Sequence, residues 1–215
     1  MEPPPLNPTE ISDLKKSLND IPSPATPTDS LVPSHALILS SLQDPLLLES
    51  LLENGLDPNH ILPHQGTLLA SACWFGPLAI VSILIGRGAD PNHLAGYDDT
   101  YKPLAAAATG FHSDVAVVEA LLDAGAVISG SGALYGAAQK GRVDVVRCLL
   151  RRAADVNERV VIKGRNGERQ LDSTALQVAK RYGHENIVNL LLEAGAVDLG
   201  LENMGKEKAV ESGST

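Results

Sequence analysis

The chain is short of aromatic residues, with seven in 215: Trp74, Phe75, Tyr97, Tyr101, Phe111, Tyr135 and Tyr182. A core without rings must be built from Leu, Ile, Val and Ala, which suits thin helices packed closely together. Cysteine is scarcer still. Cys73 and Cys148 both sit inside apolar helical patterns, which reads as two small core residues and not as a disulfide. No glycosylation sequon with a permitted middle residue occurs, because Asn7-Pro8-Thr9 is blocked by its proline. No apolar run approaches the roughly 20 residues that a membrane-spanning helix needs. The opening Met1-Glu2-Pro3-Pro4-Pro5 has neither the basic start nor the apolar run of a signal peptide. The expectation is an intracellular protein, cytoplasmic or nuclear. Positive charge is also in deficit: the formal net charge of −9 argues against general binding of polyanions by the whole chain.

What the chain does have is 44% hydrophobic residues, too many for a disordered polymer, and a phrase that repeats. Two apolar residues, two spacers and Gly-Ala-Asp or a relative occur as Leu51-Leu52-Glu53-Asn54-Gly55-Leu56-Asp57 and Leu84-Ile85-Gly86-Arg87-Gly88-Ala89-Asp90. They return as Leu121-Leu122-Asp123-Ala124-Gly125-Ala126, Leu149-Leu150-Arg151-Arg152-Ala153-Ala154-Asp155 and Leu191-Leu192-Glu193-Ala194-Gly195-Ala196. The anchors at 55, 88, 125, 153 and 195 recur on average every 35 residues. Recurrence near this length marks a repeat architecture, here with irregular units.

Each phrase closes a helix. Leu47, Leu48, Leu51 and Leu52 share one helical face; so do Ile80, Val81, Leu84 and Ile85 in the second unit and Val117, Val118, Leu121 and Leu122 in the third. Val145, Val146, Leu149 and Leu150 follow, then Ile187, Val188, Leu191 and Leu192. The glycine after each helix suits the left-handed residue that caps its carbonyls. Ala153 breaks that rule. Upstream of these helices lie shorter, alanine-rich ones over Leu68–Cys73, Leu104–Ala108, Leu134–Gln139 and Leu176–Lys180, with Gly76, Gly110, Gly141 and Gly183 as the breaks between partners. One such pair cannot bury its apolar face alone; stacked neighbours do it together.

The run Gly183-His184-Glu185-Asn186-Ile187-Val188-Asn189-Leu190-Leu191-Leu192-Glu193-Ala194-Gly195-Ala196 resembles the second helix of an ankyrin repeat. Gly141-Arg142-Val143-Asp144-Val145-Val146-Arg147-Cys148-Leu149-Leu150 and the ending Gly88-Ala89-Asp90-Pro91-Asn92 are similar. The family's Thr-Pro-Leu-His opening is intact nowhere; Thr67-Leu68-Leu69-Ala70, Lys102-Pro103-Leu104-Ala105, Gly132-Ala133-Leu134-Tyr135 and Thr174-Ala175-Leu176-Gln177 stand in its place. The resemblance implies an all-α ankyrin-repeat solenoid over 34–198, in units of about 34–61, 66–95, 102–129, 130–160 and 173–198, the first a degenerate N-terminal cap. Extra residues fall before unit three and between its helices. Glu158–Asp172 forms a long polar insertion before unit five.

The Pro/Ser/Thr-rich residues 1–33 are expected to be mostly unstructured. Ile11, Leu14, Leu18 and Ile21 nevertheless predict a short helix over 10–21, either a cover for the solenoid end or a detachable docking helix. The polar tail 199–215 is expected to be disordered.

Catalytic signals are weak. Gly130-Ser131-Gly132-Ala133-Leu134-Tyr135-Gly136 has the wrong spacing for a phosphate loop and reads as a flexible hairpin opening a repeat. His60 and His93 each follow a Pro-Asn in successive units, and His64 lies four residues past His60. Stacked loops could bring these rings together in a metal-binding or enzymatic protein, but no cysteine or carboxylate completes a ligand set. The expectation is therefore a non-enzyme with no cofactor and no metal, whose partner is another protein.

The family likeness places binding on loop tips and on the concave ends of the inner helices. In this chain those positions are Trp74 and Phe75, Gln139 and Lys140, Arg181 and Tyr182, with Phe111 and His112 in the third unit and Tyr97, Asp98, Asp99 and Tyr101 at a loop tip. Six of the seven aromatics fall at such positions, and only Tyr135 at a core position. Charge is unevenly spread: residues 1–130 carry a net −11, and residues 139–169 a net +5. The second region reads either as a solvated face or as a site for an acidic partner at Arg142, Arg151, Arg152, Arg159, Lys163, Arg165 and Arg169. Nucleic acid fits less well, because aromatics do not alternate with those cations.

Overall fold

The computed structural model describes residues 35–62, 65–93, 102–110, 114–163 and 169–198. Segments 1–33 and 199–215, with the helix expected over 10–21, lie outside them. The fold is all-α ankyrin repeat, with ten helices among the described residues and few short strands. It divides into two compact units, up to Ala126 and from Val127.

The first unit holds α1 (His35–Ser41) and α2 (Pro45–Glu53), then β1 (Ile61–Leu62) paired antiparallel with β2 (Gly66–Thr67). It continues with α3 (Leu68–Phe75) and α4 (Leu78–Gly86), then α5 (Pro103–Thr109) and α6 (Val115–Asp123). The second unit holds α7 (Ala133–Gln139), α8 (Val143–Arg151), the antiparallel pair β3 (Arg159–Lys163) and β4 (Arg169–Thr174), α9 (Ala175–Tyr182) and α10 (Glu185–Glu193). Inner helices pack on inner helices, α3 on α5 and α7 on α9, and the outer helices follow suit, α2 and α6 on α4 and α8 on α10.

The 3.6-residue pattern explains this packing. Leu47, Leu48 and Leu51, and their counterparts in the other four outer helices, are all buried. Inner helices α3, α5 and α7 bury most of their side chains, which demands small ones: Ala106, Ala107 and Ala108 in α5, Ala137 and Ala138 in α7. Helix starts are capped where the sequence offers an oxygen. Thr67 accepts the Ala70 amide at 3.0 Å, and Thr174 and Gln177 form a reciprocal capping box.

Helix ends follow the expected left-handed glycine. Gly55, Gly88, Gly125 and Gly195 have φ of 91° to 94°, and Ala153 holds φ 61° at the same position.

Two expectations need correction. The insertion Glu158–Asp172 holds an antiparallel strand pair and is not a plain polar loop: Arg159 pairs with Thr174 and Ile162 with Leu171, with a register shift at Ile162/Lys163. The β-branched run Val160-Val161-Ile162 favours strand. Residues 130–132 are a pinned turn and not a flexible hairpin. Ser131 is buried; its hydroxyl donates to the Ile128 carbonyl and accepts the Ala133 amide at 3.1 Å. Glu158 accepts from the Gly130 amide and the Ser129 hydroxyl.

Candidate binding surface

In the first unit α3 ends at Gly76, whose amide bonds the Ala72 carbonyl at 2.7 Å before Pro77 stops the helix. This exposes the last two residues of the helix unequally. Phe75 is 42% accessible, while Trp74 is half-buried, its ring centroid 6.2 Å from that of Phe75. The Trp74 backbone lies under Gly110: a Cβ on that glycine would stand 2.8 Å from the Trp74 carbonyl oxygen and 2.9 Å from its Cα. Trp74 therefore both packs in the stack and reaches its rim. The Gln43 side-chain amide donates to the Phe75 carbonyl at 3.2 Å, joining the turns of two successive pairs.

In the second unit the inner helices end differently. Gly141 and Gly183 are left-handed, with φ 74° and 72°. A Cβ on Gly141 would meet the His184 ring at 2.8 Å. His184 Nε2 lies 3.1 Å from the Gln139 carbonyl, and the ring stacks on Tyr182 with an interplanar angle of 9°. Tyr182 is 54% accessible and its hydroxyl accepts from the Gln139 side chain at 3.5 Å. Lys140 and Arg181 are exposed and Gln139 is half-buried. Phenol and cations thus share this rim, where the end of α3 in the first unit presents two rings.

The sequence reading missed His184 as the residue that organises this rim, although the Gly-His pair was visible. It also missed an Asp-x-Asn signal. In Asp57-Pro58-Asn59, Asp90-Pro91-Asn92 and Asp155-Val156-Asn157 the aspartate accepts the asparagine's own amide at 2.8 to 2.9 Å. The asparagine side chain then grips the next turn: Asn59 donates to the Gly88 carbonyl and accepts the Asp90 amide, and Asn157 does the same with Gly195 and Val197.

Of the cationic residues, Arg151, Arg152 and Arg159 are exposed. Arg142 is half-buried, and burial draws its guanidinium below the usual arginine range. Lys163 and Arg169 lie on the paired strands β3 and β4. Tyr97, Asp98, Asp99, Tyr101, Phe111, His112 and Arg165 lie outside the described residues, as does His64. His60 and His93 are half-buried at equivalent turns, each with its amide bonded to the aspartate carbonyl three residues back. Among the described residues, no three His, Cys, Asp or Glu residues form a group that could hold a metal ion. Cys73 and Cys148 are free and buried, and burial pushes the Cys73 thiol far above its ordinary range. Among the described residues, no helix is long and apolar enough to cross a membrane.

Comparison with known proteins adds family membership to this geometry. The family model described as "Ankyrin repeats (3 copies)" matches residues 69–160, and that described as "Ankyrin repeat" matches residues 172–203. No curated protein matches the chain.

Proposed function

This chain belongs to the ankyrin-repeat family, and from that premise we propose that it is a non-catalytic adaptor, inhibitor or assembly factor that holds a protein partner at the rim of its inner helices. Ankyrin repeats are in general protein–protein interaction modules. The observation that carries the reading is where the described aromatics fall. Tyr135 is buried in α7, while Phe75 and Tyr182 are 42% and 54% accessible at helix ends that the fold does not need them to occupy. Exposed rings bury much area on binding at little rotamer cost, which is why they dominate interface hot spots.

In this reading Trp74, Phe75, Phe111 and Tyr182 are anchors, Tyr97–Tyr101 a loop clamp, and Gln139, Lys140, Arg181 and His112 polar contacts. A partner with an acidic segment would use Arg142, Arg151, Arg152, Arg159, Lys163, Arg165 and Arg169 as a second region. An intracellular setting accords with the two free, buried cysteines.

The test is capture by the full chain, comparing the wild type with a Trp74→Ala/Tyr182→Ala variant. Stoichiometric partner lost more than tenfold by the variant, with circular dichroism and melting unchanged, supports the reading. A variant that unfolds instead assigns the rings to packing. Tyr182→Ala alone, at an exposed position, then decides: capture at the wild-type level overturns the reading.

A further inference from the structure

The first unit carries an apolar ridge that no described residue covers, with the half-buried Asp44 carboxylate at one end, held by the Leu46 and Leu47 amides. It runs along the turns between inner and outer helices. Leu46 opens α2 at 68% accessibility, Phe75 closes α3 at 42%, and Leu78 opens α4 at 38%, with Pro77 and Ala79 exposed between them. These side chains belong to adjoining turns, since Gln43 bonds the Phe75 carbonyl at 3.2 Å and α2 packs on α4. The matching outer-helix starts of the second unit are polar: Asp144 in α8, Glu185 and Asn186 in α10. Helix α4 is apolar nearly all round, Leu-Ala-Ile-Val-Ser-Ile-Leu-Ile-Gly, and such a helix is normally covered on every side. Contiguous exposed apolar surface of this sort marks a contact.

We propose that the ridge is the docking surface for this chain's own residues 10–21. Ile11, Leu14, Leu18 and Ile21 recur at helical spacing and form one apolar stripe, with Asp13, Lys15, Lys16 and Asp20 between them. A helix of this length is marginal in water alone and needs a surface to hold it. The connection reaches: the stretch from Ile21 to His35 can span roughly 45 Å at about 3.3 Å per residue. Helix α1 then runs only about 10 Å further, at about 1.5 Å per residue, to the turn at Gln43 on the ridge. A tethered segment meets its site at an effective concentration in the mM range, well above that of a second molecule. Because the ridge includes Phe75, a docked segment competes with a partner at that residue; this consequence, unlike the docking itself, rests on the function proposed above.

Disulfide trapping in the full chain tests the docking without any partner. Leu18→Cys is combined with Leu46→Cys, both native cysteines being buried, and the protein is exposed to oxidised glutathione. The expected result is an intramolecular bond, seen as a faster-migrating species whose yield does not change with protein concentration. Adding Ile11→Asp and Leu14→Asp should lower that yield more than tenfold. Trp74, the one tryptophan, reports in parallel: in the full chain the same two aspartates should shift its emission to the red. A covalent dimer whose yield rises with concentration would show a second copy on the ridge and overturn the proposal. Equal trapping with and without the aspartates, absence of trapping, or unchanged emission overturns it as well.

Discussion

The two units build the same helix pair and turn the corner inside it in two different ways. In the first unit Gly76 and Gly110 have ordinary φ of −93° and −62°, and the chain leaves the helix extended. Glycine is needed there because a neighbouring backbone comes within Cβ distance: Leu42 O at 3.2 Å in one case and Trp74 O at 2.8 Å in the other. In the second unit Gly141 and Gly183 are left-handed, and Gly141 is covered by a histidine ring instead of a peptide. The same letter in the sequence answers a demand for space in one unit and a demand for dihedral freedom in the other. The surfaces diverge with the turns. The first unit presents Trp74, Phe75, Leu46 and Leu78, the second Lys140, Arg181, Tyr182 and the charged starts of α8 and α10.

Substitutions at these corners break the comparison most sharply. Gly110→Ala forces a methyl against backbone that cannot swing aside, and should cost about 3 kcal/mol, the upper end of overpacking effects. Denaturant titration would read it as a lower midpoint at unchanged slope. Gly141→Ala should cost about 2 kcal/mol, from left-handed strain plus displacement of His184. Pairing it with His184→Ala relieves the clash and leaves the strain, so part of the loss should return. If the double variant is no better than additive, His184 is not what Gly141 accommodates.

The loop clamps are smaller effects. Asn59→Ala and Asn157→Ala each remove two bonds to the next turn on a solvated edge, and each should cost about 1 kcal/mol. Thermal melting of the two variants compares the clamps of the two units directly. Smallest, and opposite in sign, is Ala153→Gly. Ala153 pays left-handed strain at φ 61° where the four equivalent positions have glycine. The substitution should raise stability by about 0.5–1 kcal/mol, a rise in melting temperature of roughly 2–4 °C. A lower melting temperature would show that the capping register is wrong at this repeat.

Much of this architecture was legible along the chain. The recurring Leu-Leu…Gly-Ala phrase located every outer helix and its left-handed cap, because both depend on residues within one turn of each other. Three residues of each apolar face read from spacing are buried, while the fourth is half-buried at Leu52, Ile85, Leu122 and Leu150 and 43% accessible at Leu192. The strand pair β3–β4 was harder. Val160-Val161-Ile162 favours strand locally, but the polar residues around it look like loop, and the partner strand and register are a contact between segments that neither half fixes alone. The candidate anchors were legible as positions and not as environments. Trp74 and Phe75 are neighbours in one helix, yet one is half-buried and the other exposed, since which side of α3 meets the next pair depends on α5.

The sequence by itself determined the repeat, its period, the helix ends and the residues of the core, because these follow from periodicity and from capping within a few residues. Tertiary structure decided what glycine does at each corner, that His184 covers Gly141 and braces the Gln139–Tyr182 rim, and that Leu46 and Leu78 join Phe75 in one apolar ridge. Those features arise where repeats meet, between partners 32 to 45 residues apart in sequence, and only packing brings such partners within reach.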